Sequence, residues 1–299
     1  MSTSHDWPAA VSQPLLDAGL DLDALKVVIS LALAEDLDGG VDVTTVATVP
    51  VDQRATLDLV ARGSGVSAGA HVAAAVFYDV CGSDASIDIR TPDGADVIPG
   101  SVIISVTGRT HDLLRAERPA LNLLGHLSGI ATATRAWADR VEGTGAHVRD
   151  TRKTTPGMRR LEKYAVRCGG GVNHRMSLSD AALVKDNHVV AAGGVAAAFH
   201  AVRSQFPGVD IEVEVDSLEQ LDEVLDAGAD LVLLDNFTPA EMREAVRITN
   251  GRARLEASGG LSLDVAAEVA STGVDYLAVG ALTHSAPVLD IGADLRQES

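Results

Sequence analysis

Only two cysteines, Cys81 and Cys168, occur in 299 residues, and no CxxC or HExxH spacing is present. That argues against a zinc site and fits a reducing compartment. Long apolar runs are missing too. The longest, Val189 to Val202, spans 14 residues with two glycines and a histidine inside it, short of the ~20 a membrane span requires. The start, MSTSHDWPAA, has no basic segment followed by an apolar one, so no secretory signal is read there and a cytoplasmic location is expected. Positive charge is scarce: 24 Lys and Arg against 42 Asp and Glu leave a net charge of −18. A nucleic-acid binder held by phosphate neutralisation is thereby excluded, as is attachment to anionic lipid. There is no GxxxxGK[ST], GTGAHV at 143–148 lacks the third glycine of a dinucleotide fingerprint, and the loop begun by Asp36, Asp38 and Gly40 has Ala47 where a calcium loop needs Glu. What is present is a 46% apolar composition, enough for one large buried core or two unequal ones.

The scarce cations are concentrated. Between Arg149 and Lys185 stand nine of them (Arg149, Arg152, Lys153, Arg159, Arg160, Lys163, Arg167, Arg175 and Lys185) against Asp150, Glu162 and Asp180. Inside a cleft the nearest charges outweigh a distant acidic background, because screening acts over ~8 Å at physiological salt. The segment therefore points to an anionic small-molecule ligand; an Arg-rich helix face paired with surface acids is the alternative.

Leu22, Leu25, Ile29, Ala32 and Leu33 recur at helical spacing after Asp21, a good N-cap, predicting a helix over 22–35 that packs on a sheet. Alternation at 55–61, 86–90 and 101–108, punctuated by Pro92-Asp93-Gly94 and Pro99-Gly100, predicts short antiparallel strands in a small α+β unit. A long helix follows over about 115–141. From Ala146 the rhythm changes to apolar runs alternating with helical segments: AHVRD, AALVKD, DIEVEV, ADLVLLD, ARLEAS and DYLAVG. Such a βα series predicts a parallel, barrel-like sheet. At or just past each strand end stands a residue with chemistry to offer: Asp150 with Arg152, Lys185, Glu214, Asp235, Ser258 and Gly280. In barrels that rim carries the active site.

Arg152, Lys153, Arg175 and Lys185 supply donors for carboxylate or phosphate. Glu214 and Asp235 are placed to steady a developing cation, or to hold a divalent metal together with substrate phosphates. The glycines of ASGG (257–260) and VGAL (279–282) offer unobstructed backbone N–H groups of the kind a phosphate uses near helix N-termini. His174, beside Arg175, is expected to contact substrate, while His188 is ambiguous.

Nearly the whole chain resembles the quinolinate phosphoribosyltransferases. The blocks are EDLDGGVDVTT (35–45), ERPALNLLGHLSGIATAT (117–134), DTRKTTPGMRRLEKYAVRCGGGVNHR (150–175), LVKDNH (183–188), EVEVDS (212–217), LLDNF (233–237), EASGGL (256–261) and VGALTHSAPVLDIG (279–292). The resemblance implies an α/β protein: a smaller N-terminal α+β sandwich domain over 1–127 and an incomplete (β/α) barrel over 128–299. It implies transfer of the phosphoribosyl group of 5-phosphoribosyl-1-pyrophosphate to the ring nitrogen of quinolinate with decarboxylation, giving nicotinate mononucleotide for NAD synthesis. Carried onto matching positions, Arg118, Thr151, Arg152, Lys153, His174, Arg175 and Lys185 hold the two substrates. Glu214 and Asp235 attend the ribose and Mg2+, directly or through substrate and water, and with Lys153 form the catalytic set. Ser258, Gly259, Gly260, Gly280 and Ala281 receive the 5-phosphate. No organic cofactor is implied, and Arg118 is expected to reach the neighbouring site of a homodimer.

Three other readings compete. Lys185 as a Schiff-base lysine would make the chain a barrel aldolase or lyase. A non-catalytic anion-binding barrel would need no paired carboxylates such as Glu214 and Asp235. A paralogous pyrophosphorylase of different substrate would share the barrel blocks but not the dicarboxylate contacts.

Overall fold

A computed structural model describes residues 7–297; residues 1–6, part of the segment read for an export signal, and 298–299 lie outside it. In chain order the first elements are α1 (Ala9–Asp17), α2 (Leu22–Leu37), α3 (Val43–Thr48), β1 (Arg54–Ala61), β2 (Gly65–Val66), α4 (Ala70–Cys81), β3 (Ser86–Ile89), β4 (Asp96–Val97), β5 (Val102–Arg109) and α5 (Thr110–Val141). Next come β6 (His147–Arg149), α6 (Arg159–Cys168), β7 (Ala181–Val184), α7 (Asp186–Ala192), α8 (Val195–Gln205), β8 (Asp210–Val215), α9 (Leu218–Asp226) and β9 (Leu231–Asp235). The chain finishes with α10 (Pro239–Thr249), β10 (Arg254–Ser258), α11 (Ala266–Ala270), β11 (Tyr276–Ala278), α12 (Ala281–His284) and β12 (Ile291–Gln297).

Two compact units result, and neither is continuous. One takes residues up to 133, 155–169 and everything from 285; the other takes 134–154 and 170–284. These compact units differ from the expected division at 127/128 in that α6 and β12 group with the first unit.

In that first unit the expected strands at 55–61, 86–90 and 101–108 are β1, β3 and β5, joined in an antiparallel sheet of order β12-β1-β5-β3. Helix α4 lies on β3 and β5 and buries Val72, Ala73, Val76 and Phe77 completely, the i, i+1, i+4, i+5 face of an amphipathic helix. Asp21 caps α2 by accepting from the backbone N–H of Asp23 and Ala24, each at 3.1 Å. The principal neighbour of α2 is nevertheless α1 and not the sheet. Its core face is limited to Leu25 and Ile29, and Val27 and Leu31 stay exposed.

Strand β12 was not anticipated, although Ile291, Ala293 and Leu295 alternate there with Gly292, Asp294 and Arg296. It runs antiparallel to β1 from Ala55 opposite Gln297 to Ala61 opposite Ile291. Arg296 locks that register: its Nε and Nη2 donate to the Asp58 carboxylate at 2.6 and 3.0 Å, which also accepts from Ser105 at 2.6 Å. The guanidinium holds the Asp58 carboxyl below the usual aspartate range. Helix α6 belongs to the same unit and takes Arg159, Arg160, Lys163 and Arg167 with it. Four of the nine cations of the segment thus belong to the first unit. Arg167 donates to the Ala18 carbonyl at 2.5 Å and covers the Tyr164 ring, while Lys163 is fully buried.

The second unit is the parallel sheet that the βα rhythm predicts, with order β6-β11-β10-β9-β8-β7 and every pairing parallel. Strands β6 and β8 are four positions apart, roughly 19 Å across a flat sheet at ~4.8 Å per strand. Yet Arg149 of β6 comes within 3.8 Å of Glu212 of β8 and 2.5 Å of Glu256 of β10. The sheet must curl round its side chains, while its first and last strands, β6 and β7, are not joined to each other and β6 instead bridges to Val172, which is a barrel left incomplete. Among the described residues no helix is long and apolar enough to cross a membrane.

Candidate active site

Because side chains alternate along a strand, 212 and 214 of β8 share one face, as do 256 and 258 of β10. This period sets two layers inside the curled sheet. Glu214 and Ser258 belong to the upper layer and line a cavity of about 280 Å³ with Thr151, Arg152, Lys153, His174, Arg175 and Lys185, closed at its sides by Leu183, Leu233 and Ala278. Glu256 and His174 lie at its floor, and Glu212 and Arg149 complete that lower layer.

The four cations named from sequence meet here. Thr151 Oγ1 accepts from the Lys153 N–H at 3.0 Å, and Thr283 Oγ1 donates to the Lys153 carbonyl at 2.7 Å. A side chain at Gly280 would come within 3.1 Å of the Lys153 stem, so the absence of a Cβ there gives Lys153 its path into the cavity. Arg175 Nη1 donates to the Ala181 carbonyl at 2.9 Å. The Nε groups of both Arg152 and Arg175 are buried without a hydrogen-bond partner. Burial, then the charge of Arg152, pushes the Arg175 guanidinium down from its ordinary range, the response of two cations held close together in an enclosed space. Lys185 Nζ donates to Glu214 Oε2 at 2.9 Å. His188 proves to be an anchor: its Nδ1 accepts from the Lys185 N–H at 3.0 Å.

His174 lines the cavity and is at the same time held by the protein. Its backbone N–H donates to Asp150 at 2.9 Å, its Nδ1 accepts from the Arg175 N–H at 2.7 Å, and its Nε2 lies 2.6 Å from Glu212 Oε2. With Nδ1 accepting, the ring proton sits on Nε2 and goes to Glu212. In this arrangement both ring nitrogens serve the protein. Asp150, read from sequence as a rim residue, is fully buried and binds Asn173 Nδ2 at 2.5 Å as well as His174; it pins the 173–175 segment.

Glu212 and Glu256, which sequence reasoning passed over, are both shifted by this environment. Burial raises both, Glu256 to about 7, with the neighbouring Glu212 charge the next cause. Their signal was present: Glu212 and Glu214 stand two apart in DIEVEV, as Glu256 and Ser258 do in RLEAS, so whichever lines the interior brings the other with it. The ligand atoms of His174, Glu212 and Glu256 lie within 4.8 Å of one another, but Arg149 already supplies the positive charge at that spot.

Asp235 ends β9 beside Ser258 of β10 and accepts from Asn236 Nδ2 at 2.9 Å, next to the cavity but not on its lining. Beyond Ser258, Gly259 has φ +94° and a side chain there would strike Asn236, so only glycine permits the turn. The helices after these turns are not dipole sources for a phosphate: α11 begins only at Ala266, and α12, from Ala281, is four residues long. Any anion there meets loop N–H groups of 258–260 and 280–281. Arg118 stands on α5, 60% exposed and 4.0 Å from Glu117, and does not line this cavity.

The sequence matches the family described as quinolinate phosphoribosyl transferase, N-terminal domain, over 42–128 and its C-terminal domain over 130–294. The chain belongs to the quinolinate phosphoribosyltransferase family. A nicotinate-nucleotide pyrophosphorylase [carboxylating] of Mycobacterium leprae is 53% identical over 279 residues, covering 92% of this chain and 98% of that one. A quinolinate phosphoribosyltransferase [decarboxylating] of Nicotiana tabacum is 37% identical over 295 residues, 92% of this chain and 83% of the other. Among solved structures, the nicotinate-nucleotide pyrophosphorylase from Francisella tularensis superposes with a TM-score of 0.88 at 35% identity, over 93% of this chain and 98% of that one. In this quinolinate phosphoribosyltransferase fold, the curled sheet and the α+β unit are those the sequence blocks imply.

Proposed function

We infer that the cavity joins quinolinate to 5-phosphoribosyl-1-pyrophosphate and releases pyrophosphate and carbon dioxide, the chemistry for which the family is named. The observation that carries this reading is the pair of buried guanidinium Nε donors without partners on Arg152 and Arg175. Donors left unsatisfied in an enclosed site carry a desolvation penalty of ~1–3 kcal/mol each, which two carboxylates on adjacent ring carbons relieve. Lys153 and Lys185, compact and mobile charges, suit the phosphates, and the 258–260 and 280–281 turns suit the 5-phosphate.

The ring nitrogen displaces pyrophosphate from the anomeric carbon, and the sugar passes through a state with cationic character. Glu214 and Asp235 face that charge from the rim and stabilise it. The bond to the adjacent carboxylate then breaks, its electron pair is held beside the now positive ring nitrogen, and a proton from water completes nicotinate mononucleotide. No protein nucleophile takes part; positioning and preorganised charge do the work. The oxygen donors Glu214 and Asp235 fit Mg2+, a hard cation that binds through few carboxylates and completes its shell with phosphate and water. When bound, the metal neutralises the departing pyrophosphate. Because Lys185 already occupies Glu214, Asp235 is the more available ligand.

Two supports favour a homodimer of cytoplasmic protomers. Val27, Leu31, Val41, Val43 and Val46 of the first unit are exposed, an apolar surface of the kind that associates. Both cysteine thiols are unpaired, and burial raises Cys81 to about 12 and Cys168 to about 11, so neither is reactive. If Arg118 serves the partner's cavity, mixing Arg118→Ala with Arg175→Ala protomers restores about a quarter of wild-type activity at equal ratios, one intact site per mixed dimer; recovery of none places Arg118 elsewhere. The reaction itself is tested by pyrophosphate release with quinolinate beside nicotinate. Release with quinolinate alone is expected. Equal or better use of nicotinate, which lacks one carboxylate, overturns the assignment, and borohydride labelling of Lys185 with a carbonyl substrate points instead to the aldolase reading.

A further inference from the structure

Beneath the cations lies a carboxyl pair that the reaction does not consume. Glu256 is fully buried and Glu212 almost so, at 3% exposure. Glu256 Oε2 accepts from Arg149 Nη1 at 2.5 Å, and Glu212 Oε2 accepts from His174 Nε2 at 2.6 Å. That leaves one oxygen on each, Glu212 Oε1 and Glu256 Oε1, buried and without a hydrogen-bond partner, on carboxyls that bring oxygen atoms within 4.8 Å of each other. Two bare carboxylate oxygens cannot satisfy one another. A single proton between them satisfies both, since a protonated carboxyl donates while an ionised one only accepts. Both carboxyls face the same two groups in mirror image, Glu256 with Arg149 at 2.5 Å and His174 at 3.8 Å, Glu212 with His174 at 2.6 Å and Arg149 at 3.8 Å. Glu256 has no exposed surface at all, and burial of that kind disfavours the charged form there.

We propose that Glu256 is a neutral carboxylic acid, donating its proton to Glu212, and acts as a positioning residue for quinolinate binding by holding the floor of the cavity at zero net charge and His174 in one tautomer. The charges balance on that count: Arg149 positive, Glu212 negative, Glu256 and His174 neutral. Ionising Glu256 would place an uncompensated negative charge directly under Arg152, Arg175 and Lys185 and weaken their hold on a dianion. Through Glu212 the same proton fixes the His174 ring, and through Nδ1 the ring fixes the backbone of Arg175. The proposal rests on the assignment of quinolinate as the ligand of the cavity.

The groups that face Glu256 are few. Arg149 comes from β6, Glu212 from β8, His174 from the segment before β7, and Tyr276 pairs with it in register on β11; on its own strand Arg254 donates to the Tyr276 hydroxyl at 3.0 Å, and its partner on β9 is the apolar Leu233. Burial is the larger cause of its upward shift and Glu212 the second. The folded state therefore holds the Glu256 proton more tightly than the unfolded chain does, so the associated stability is present below the ordinary glutamate range and is lost as pH rises through about 7.

The decisive variant is Glu256→Gln, whose amide oxygen can face Arg149 while its NH2 faces Glu212, in imitation of the neutral acid. In the wild type, KM for quinolinate should rise on the order of tenfold between about pH 6.5 and about pH 8.5, with KM for 5-phosphoribosyl-1-pyrophosphate following a different profile. In Glu256→Gln the rise should vanish, and the melting temperature of the variant should gain on the wild type as pH increases. Glu256→Ala, which leaves Glu212 and Arg149 without their partner, should raise quinolinate KM at every pH. If Glu256→Gln keeps the wild-type pH profile, or binds quinolinate as poorly as Glu256→Ala, the neutral-acid assignment is wrong. Failure of quinolinate to react at all in the pyrophosphate assay removes instead the premise about the ligand, while the pH dependence of the melting temperature still reports on the proton.

Discussion

Arg175→Ala is expected to raise KM for quinolinate on the order of 10²-fold, with a smaller change in kcat. The guanidinium is fixed on one side by the Ala181 carbonyl and presents a buried Nε with no partner on the other, so its binding geometry exists before substrate arrives. Two charge-assisted hydrogen bonds at ~1.5 kcal/mol apiece, the low end of the usual range, account for a factor of that size. Arg175→Lys should recover little, because a point charge cannot reproduce a planar fork. The measurement is initial-rate kinetics with each substrate varied in turn. A loss confined to 5-phosphoribosyl-1-pyrophosphate would mean that Arg175 holds phosphate and the dicarboxylate lies elsewhere in the cavity.

Asp235→Ala should lower kcat on the order of 10²-fold while leaving quinolinate KM within a few-fold of wild type, the pattern for a charge that matters mainly as the glycosidic bond breaks. Its position at the end of β9 beside Ser258 keeps the carboxylate out of the dicarboxylate's way. Asp235→Asn separates two contributions: if the charge acts through Mg2+, raising the metal concentration should recover part of the loss, and if it acts on the sugar alone, added metal should do nothing. An unchanged kcat in both variants would remove Asp235 from the reaction.

Strand period and strand-end position made much of the cavity legible before any coordinates. The βα rhythm placed Lys185, Glu214 and Ser258 at one rim, and the cation-rich segment contained Arg152, Lys153 and Arg175. What the letters hid depends on contacts distant in sequence. Charge counting could not separate Arg152 from Arg167, because only the chain path sends α6 to the other unit. Nor does a sequence show that Arg149 crosses the barrel interior to Glu212 and Glu256, 63 and 107 residues away; an apolar interior is the usual rule, and this one is charged. His174, expected to contact substrate, lines the cavity, but the letters do not show that the Arg175 N–H and Glu212 also engage its two nitrogens. Strand β12 is hidden for a simpler reason: its two-residue alternation over 291–297 is short and follows directly on the barrel blocks, with nothing local to show that its partner is β1.

That last strand bears on how the protein is made. Residues 54–61 leave the ribosome more than two hundred positions before the segment that covers their flank. Throughout translation β1 presents an unpaired row of amide and carbonyl groups beside the apolar Leu57 and Leu59, a surface that invites a second nascent chain. The first unit can begin to fold early but cannot seal its sheet until residues 291–297 have been made. Chain termination before Ile291 would therefore damage a strand made more than two hundred positions earlier.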